Sequence, residues 1–337
     1  MNYEINALEQ NHIWEIVDLP PNKRPVDCND SNEIESIKAH LDHEFSIKNL
    51  GKLRYFLGLE ISRSFTGIVV NQRKYALELL KENDMLAAKP ISTPMEPSTK
   101  FISSSGNPLS DPQPYRRLVG QLMYLTTTRP DLAFVTQQLS QYVSQPMDTH
   151  HSAAMRVLRY IKGSPAKGLH FPANSSLMPS NFADSDWGSC IETRKSVTGY
   201  CVFLGSSLIC WKTKKQTIVS RSSSEAEYRA LAALSCELQW LHFLLTDLQV
   251  PPTAPISVFC DNQSAIYLAH NPTFHERTKH IEIDCHVICK KIQSGLLHLL
   301  PISSYAQLAD MFTKALHPKV FTQCISKLGL FDVHSPP

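Results

Sequence analysis

The feature that most constrains the fold of this 337-residue chain is a leucine stripe within residues 222–248. Its leucines recur every three or four residues, which predicts one long helix with a single apolar face. They are Leu231, Leu234, Leu238, Leu241, Leu245 and Leu248. One turn before Leu231, the same face carries the carboxylate of Glu227. A helix of this kind has to pack on an apolar surface, and Glu227 then needs a partner inside that packed face.

The segments around this helix predict an α/β domain over residues 180–316. Ser222 and Glu225 form a capping box at the start of the long helix, and Pro251 and Pro252 stop it. Strands are predicted near Phe182 and over 198–205, 207–217, 256–260 and 296–302. Shorter helices are predicted at SAIYLA, over 283–293 and over 304–316. This order predicts a mixed five-stranded sheet with helices on its faces.

The preceding residues predict a mainly helical part with one hairpin. The hairpin occupies residues 53–71, with its turn near Gly67. Helices are predicted over 30–45, 74–82, 115–127, 131–143 and 151–162. The loop at 172–180 marks the expected domain boundary, and residues 317–337 are expected to form a C-terminal tail.

Composition narrows the class of protein. With 42% hydrophobic and 19% charged residues, the chain has an ordinary globular composition, and its net charge is only +2. It has no apolar run of the roughly 18 residues that a membrane span needs. Its nine cysteines form no CxxC pair, which favours a reducing compartment. We therefore expect an intracellular protein, cytoplasmic or nuclear, with no membrane partner and no small-molecule cofactor.

Four acids occupy special points of the predicted topology. Asp184 ends the first strand, Glu227 lies in the first turn of the long helix, Asp261 ends the fourth strand and Asp310 lies in the last helix. Each also has a simpler interpretation. Asp261 is suited to capping a helix, Glu227 to complementing the helix dipole and Asp310 to facing solvent, while Asp186 competes with Asp184 for the same role.

Carboxylates that converge on a packed face repel one another and lose hydration. Divalent ions between them remove both costs, and hard oxygen ligands suit Mg²⁺, with Mn²⁺ as a substitute. Two such ions about 3.5–4 Å apart form the usual clamp for phosphodiester cleavage. The four acids therefore predict a two-metal site at Asp184, Glu227, Asp261 and Asp310.

Long stretches of the chain resemble the Pol polyprotein of copia-type LTR retrotransposons from residue 27 to residue 331. They include YRRLVGQLMYLTTTRPDLAFVTQQLSQYV, HHSAAMRVLRYIKG, ADSDWGSC, RKSVTGYCVFLG, CWKTKKQTIVSRSSSEAEYRALA, CDNQSAIYLAHNPTFHERTKHIEI and QLADMFTKAL. Such long and ordered matches are far more specific than a short motif.

The resemblance implies a ribonuclease H domain over residues 180–316, with Asp184, Glu227, Asp261 and Asp310 as its catalytic acids. It also implies an RNA–DNA hybrid as the partner. A protein recognises such a hybrid through its 2′-hydroxyls and through phosphates held by basic residues. The candidates for these phosphate contacts are Lys214, Lys215, Arg277 and Lys279.

Residues 27–175 resemble the part of a reverse transcriptase that follows its polymerase palm, and residues 1–26 resemble its fingers. The palm between them is absent, and the chain contains no Asp-Asp pair. We therefore expect no DNA synthesis by this chain.

Three functions remain open: hybrid cleavage with Mg²⁺, nucleic-acid binding without turnover, and an interaction role without nucleic acid. The four intact acids favour the first.

Overall fold

A computed structural model describes residues 31–46, 51–270 and 282–332. The chain divides into two units, residues 1–53 and residues 54–337. In the first unit, α1 (Ser31–Phe45) is the helix that the spacing of its apolar residues predicted. All further elements belong to the second unit.

The second sheet along the chain is the predicted mixed five-stranded sheet. Its strands are β5 (Pro179–Asp186), β6 (Val197–Leu204), β7 (Ser207–Lys215), β8 (Ile256–Cys260) and β9 (Leu297–Pro301). They lie in the order β7-β6-β5-β8-β9. The first three strands are antiparallel, whereas β8 runs parallel to β5 and β9 runs parallel to β8. Helical segments connect β7 to β8 and β8 to β9, as parallel neighbours require.

Both faces of this sheet are buried. The helices that follow β7 are α6 (Ser223–Asp247), α7 (Gln263–His270) and α8 (Glu282–Gln293). Along β6, Tyr200 and Val202 join the core under α6, while Cys201 and Phe203 join a second core on the opposite face. This alternation follows from the two-residue period of a strand. Leu231, Leu234, Leu238 and Leu241 of the leucine stripe are buried in the first of these cores, and Leu245 is also buried, whereas Leu248 lies after the end of α6 and is exposed.

The remaining strands form another five-stranded sheet. They are β1 (Tyr55–Phe56), β2 (Leu59–Ser64), β3 (Gly67–Asn71), β4 (Lys167–Pro172) and β10 (Leu330–Asp332), in that order. The hairpin of β2 and β3 was predicted, but β4 and β10 were not. β10 pairs antiparallel with β4, so that Leu330 lies opposite Leu169.

Five helices of the described residues pack beside this second sheet; the first four lie close to their predicted positions, whereas the fifth was not predicted. They are α2 (Arg73–Glu82), α3 (Gln113–Leu125), α4 (Ala133–Ser140), α5 (Asp148–Gly163) and α9 (Pro318–Lys327). A short 3₁₀ turn at Pro130–Leu132 precedes α4. Residues 317–337, which we expected to form a tail, thus contribute both a helix and a strand of the described structure.

One apolar core connects the two sheets. It combines Leu122 of α3, Leu158 of α5 and Phe203 of β6 with Phe321 and Leu328 near the C-terminus, all of them buried. Residues distant in sequence therefore depend on the same packed interior. Within the described residues, no helix is both long enough and apolar enough to cross a membrane.

The predicted helix over residues 304–316 is wrong. Two 3₁₀ turns occupy this region, Ser304–Ala306 and Leu308–Phe312. Gln307 between them is extended and buried. Its Nε2 donates to the carbonyl of Ala183 at 2.8 Å, and its Oε1 accepts from the backbone of Ala309 at 3.2 Å. These bonds to a strand and to the next turn replace the hydrogen bonds that a continuous helix would have made.

Candidate active site

Glu227 reaches the site from the N-terminal part of α6. The Ser222 hydroxyl accepts a hydrogen bond from the backbone of Glu225 at 3.2 Å, which fixes the start of the helix. The helix begins at Ser223, so Glu227 lies beyond its first turn, contrary to the prediction. Glu225 is the acidic residue of that first turn, and its carboxylate pairs with Arg229 at 2.9 Å. The dipole interpretation therefore applies to Glu225 and not to Glu227.

Asp261 follows the last residue of β8. The capping interpretation does not apply to it, because the side chain of Asn262 accepts the hydrogen bond from Ala265 at 3.0 Å. The hydroxyl of Ser304 donates to Asp261 Oδ2 at 2.7 Å. Single ligand atoms of Glu227, Cys260 and Asp261 lie within 4.8 Å of one another. The ends of a helix and a strand thus bring two of the predicted acids together.

Asp184 and Asp186 share one face of β5, but their surroundings differ. Asp184 is 3% exposed, and the hydroxyl of Thr313 donates a hydrogen bond to its Oδ2. Asp186, at the end of the strand, is less buried and lines a groove with Ser189 and Cys190. The acid that lies against Glu227 and the Asp310 turn is therefore Asp184.

Asp310 lies in the turn Leu308–Phe312, which packs directly on β6. The strand residue beneath the turn is Gly199, which also lies opposite Asp184 in the sheet. A Cβ at Gly199 would approach Thr313 Cγ2 to 2.6 Å and Phe312 Cβ to 2.8 Å. These distances are too short for any other residue without a shift, so the missing side chain allows the turn to bring Asp310 to Asp184.

Burial and mutual repulsion change the acidity of this cluster. Burial, with the charges of Asp184 and Asp261, raises the pKa of Glu227 to about 9. Burial and the charge of Asp184 raise the pKa of Asp310 to about 7, although the nearby Lys314 opposes this change. Glu227 is 6% exposed, and its Oε2 has no hydrogen-bond partner within the described residues. A buried carboxylate oxygen in this state lacks a positive partner.

The donors fit hard divalent cations. Oxygen atoms predominate, and the buried Oε2 of Glu227 offers a lone pair that no described group uses. Carboxylate oxygens are the ligands that Mg²⁺ and Mn²⁺ prefer. Asp184, Glu227, Asp261 and Asp310 are therefore suited to hold such ions.

The predicted phosphate contacts are only partly described. Lys214 and Lys215 line a cavity of about 350 Å³ together with Lys212 and Arg229. The ammonium of Lys215 donates to the side chain of Gln141 at 2.8 Å. Arg277 and Lys279 lie outside the described residues.

Sequence reasoning missed several residues that shape the site. Gln307 ties the last turn to β5, Thr313 contacts Asp184, and the ammonium of Lys314 lies 3.0 Å from Asp310 Oδ1 and 3.8 Å from Asp184 Oδ2. All three belong to the stretch QLADMFTKAL, from which only Asp310 was selected. The only sequence signal for Lys314 was its position four residues after Asp310, a spacing at which opposite charges can pair.

Comparisons with known proteins agree with these features. Residues 26–97 match the family model described as reverse transcriptase (RNA-dependent DNA polymerase). The chain is 43% identical over 309 residues to the retrovirus-related Pol polyprotein from transposon RE1 of Arabidopsis thaliana. This match covers 92% of the chain and 21% of the polyprotein. The Pol polyprotein from transposon TNT 1-94 of Nicotiana tabacum is 33% identical over 312 residues, covering 89% of the chain and 23% of the polyprotein.

A solved structure of an RNase H1 isolated from compost is 14% identical, covering 44% of this chain and 99% of that one, with a TM-score of 0.29.

The chain thus spans about a fifth of the length of the Pol polyproteins that it matches. Their similarity extends across about nine-tenths of the chain. This chain belongs to the Pol family of copia-type LTR retrotransposons.

Proposed function

We propose that this chain is an RNA–DNA hybrid ribonuclease that hydrolyses the phosphodiester bonds of the RNA strand with two Mg²⁺ ions. The observation that carries the proposal is the buried, unpartnered Oε2 of Glu227 beside Asp184 and Asp261. On a helix face that is otherwise leucine, such a group costs stability, since it is either ionised without a partner or protonated at neutral pH, and a bound cation would remove this cost. Mn²⁺ is expected to substitute for Mg²⁺ because it accepts the same ligands.

Each acid has a role in this proposal. Asp184, Glu227, Asp261 and Asp310 would hold the two ions, which supply an activated water and stabilise the leaving oxygen when bound. Thr313 and Ser304 fix the carboxylates of Asp184 and Asp261 through their hydroxyls. Lys214 and Lys215 line an open basic cavity suited to phosphate, and Arg277 and Lys279 remain candidates for the same role.

The experiment uses the purified chain and a labelled RNA–DNA hybrid, with Mg²⁺ or with chelator. Cleavage of the RNA strand is expected only with Mg²⁺, and Glu227→Gln and Asp261→Asn should each reduce it at least a hundredfold. Asp247→Asn is the matched control, since Asp247 is exposed at the other end of α6. The proposal would be refuted if the wild-type chain and the control, both folded, left the hybrid intact in Mg²⁺.

The second candidate function is hybrid binding without cleavage. Lys314 favours it, because its ammonium already compensates part of the charge of Asp184 and Asp310 without a metal ion. In that case the chain would retain the hybrid in a filter-binding assay, and its log affinity would fall linearly with log salt.

A template–primer assay tests for DNA synthesis. Because the chain contains no Asp-Asp pair, no nucleotide incorporation is expected.

A further inference from the structure

The two halves of the acid cluster differ in charge. On one half, the Lys314 ammonium lies 3.0 Å from Asp310 Oδ1 and 3.8 Å from Asp184 Oδ2. On the other half, no ion pair joins Glu227 or Asp261 to a basic group within the described residues. Among those residues, a cation of the protein's own therefore lies on the Asp184–Asp310 side and not on the Glu227–Asp261 side.

An ammonium and a divalent ion cannot share the same carboxylate oxygens. Two cations that contact the same carboxylate oxygens lie only a few ångströms apart, and their mutual repulsion is twice as large for an ammonium and a divalent ion as for two ammonium groups. We propose that Lys314 is a built-in competitor for the divalent ion on the Asp184–Asp310 side. One ion then binds readily on the Glu227–Asp261 side, and the second binds only when the Lys314 ammonium moves away. This inference rests on the proposed function.

The structure provides a place for the displaced ammonium. The Lys314 side chain is 40% exposed, so it is not locked in position. It lines a groove of about 190 Å³ together with Asp186 and Phe101. Asp186 already interacts electrostatically with Lys314 and lies on the same strand face as Asp184. A change of lysine rotamer toward Asp186 would free the Asp184 and Asp310 oxygens while the ammonium keeps an acidic partner.

This arrangement gives Asp186 a separate role. Sequence reasoning treated Asp184 and Asp186 as alternatives for one ligand position. In the proposed switch both are used: Asp184 for the ion, and Asp186 for the lysine that the ion displaces. Both metal ions are then bound only when the binding free energy of the second ion exceeds the free energy needed to move the Lys314 ammonium.

The test counts Mn²⁺ ions bound to the full chain without nucleic acid, by electron paramagnetic resonance titration of free Mn²⁺. The wild-type chain is expected to bind one ion tightly and a second at least tenfold more weakly. Lys314→Met should tighten the second dissociation constant at least tenfold. Lys314→Arg, which keeps the charge, should retain the weak second site. Lys319→Met is the matched control, because it removes an exposed lysine nearby.

The outcomes separate the two proposals. If the wild-type chain binds Mn²⁺ but the second constant of a folded Lys314→Met protein stays within twofold of wild type, the competitor role is wrong and the nuclease proposal stands. If the wild-type chain and Lys314→Met both bind no Mn²⁺, both proposals fail. If Lys314→Met binds Mn²⁺ and the wild-type chain does not, Lys314 excludes the ion completely, and the competitor role is supported.

Discussion

Glu227 is a residue whose burial opposes folding and whose proposed role is to hold a metal ion. In the metal-free protein, burial and two neighbouring acids raise its pKa to about 9, so that it is protonated at neutral pH. A neutral carboxyl and the amide of glutamine have nearly the same size. In the folded protein the two groups differ only when a cation has to displace the proton, whereas in the unfolded chain the glutamate is ionised and the amide is not.

At pH 7 in chelator, Glu227→Gln is therefore expected to raise the free energy of unfolding by about 3 kcal/mol, because folding of the wild type has to protonate a glutamate that is ionised in the unfolded chain. With Mg²⁺ at 100 times its dissociation constant, the wild-type protein should gain about 2.7 kcal/mol, since the ion binds only the folded state. The variant should lose most of this gain. Urea titrations with and without Mg²⁺ measure both values, with Asp247→Asn as the control. Equal Mg²⁺ stabilisation in both proteins would contradict a metal role for Glu227.

Gly199 is a second residue at which a single substitution tests the candidate site. A methyl group there would overlap Thr313 and Phe312, so Gly199→Ala should displace the turn that carries Asp310. We expect a loss of about 1–3 kcal/mol in unfolding free energy and a weaker Mg²⁺ stabilisation. In Gly120→Ala the added methyl meets open space within helix α3, so stability should rise by about 0.5–1 kcal/mol. Unchanged stability and metal affinity in Gly199→Ala would show that the close packing is unimportant.

Among the elements, the N-terminus of α5 depends on a neutral histidine. His150 Nδ1 accepts a hydrogen bond from the backbone of Met147 at 3.1 Å, and its ring stacks on Tyr142 with centroids 4.1 Å apart. Burial lowers the pKa of His150 below its usual 6.5, although Glu192 and Asp148 partly oppose this. Below pH 6.5 the unfolded chain then binds more protons at this position than the folded one.

Stability should therefore be fully present above pH 6.5 and should decline as the pH falls toward the folded-state pKa. Urea midpoints between pH 5 and pH 8 would measure this decline. His150→Gln should flatten the profile, whereas His151→Gln, which changes a less buried neighbour, should not. A decline of the same size in His150→Gln would assign the pH dependence to other groups.

Elements with a clear period were predictable, and elements without one were not. The leucine stripe identified α6, because its leucines recur on one face of a helix, and the run TGYCVFLG identified β6. β4 contains Gly168 and Pro172 and resembles a loop in composition, yet β3 and β10 pair with it. The helix predicted over 304–316 failed because Gln307 bonds to β5, a contact that no local pattern reveals.

The residues of the candidate site also fall into those that could be predicted from the sequence and those that could not. The topology singled out the four acids, since strand ends and the start of a helix meet at one edge of a sheet. Gly199 could not be selected, because its importance comes from Thr313 and Phe312, more than 100 residues away in sequence. For Lys314 the spacing to Asp310 was visible, but its contact with Asp184 was not. A three-dimensional contact of this kind leaves no periodic trace along the chain.

For the whole molecule, the shared core predicts cooperative unfolding of the second unit. Phe321 is 4% exposed and packs edge-on against Tyr160 of α5, with ring centroids 5.7 Å apart. Phe321→Ala should cost about 3–5 kcal/mol and should lower the stability around both sheets together. Val320→Ala, at a half-exposed neighbour, should cost less than about 1 kcal/mol.

Denaturant unfolding followed by tryptophan fluorescence and by far-ultraviolet circular dichroism tests this prediction. Trp187 and Trp211 belong to the region of the mixed sheet, whereas the dichroism also reports on the helices of the preceding part. The two signals should change at one midpoint in the wild type and at one lower midpoint in Phe321→Ala. Two separate midpoints would indicate independently folding domains.

The turn that carries Asp310 is held between Gly199 on one side and this shared interior on the other, through Phe312. A substitution in the part of this interior that comes from residues 54–172 can thus displace Asp310 and disable the proposed nuclease site without changing any of the four acids. A comparison of related chains by their acidic motifs alone would overlook such a loss. The packing around Phe312 is therefore the better guide to whether the proposed site is intact.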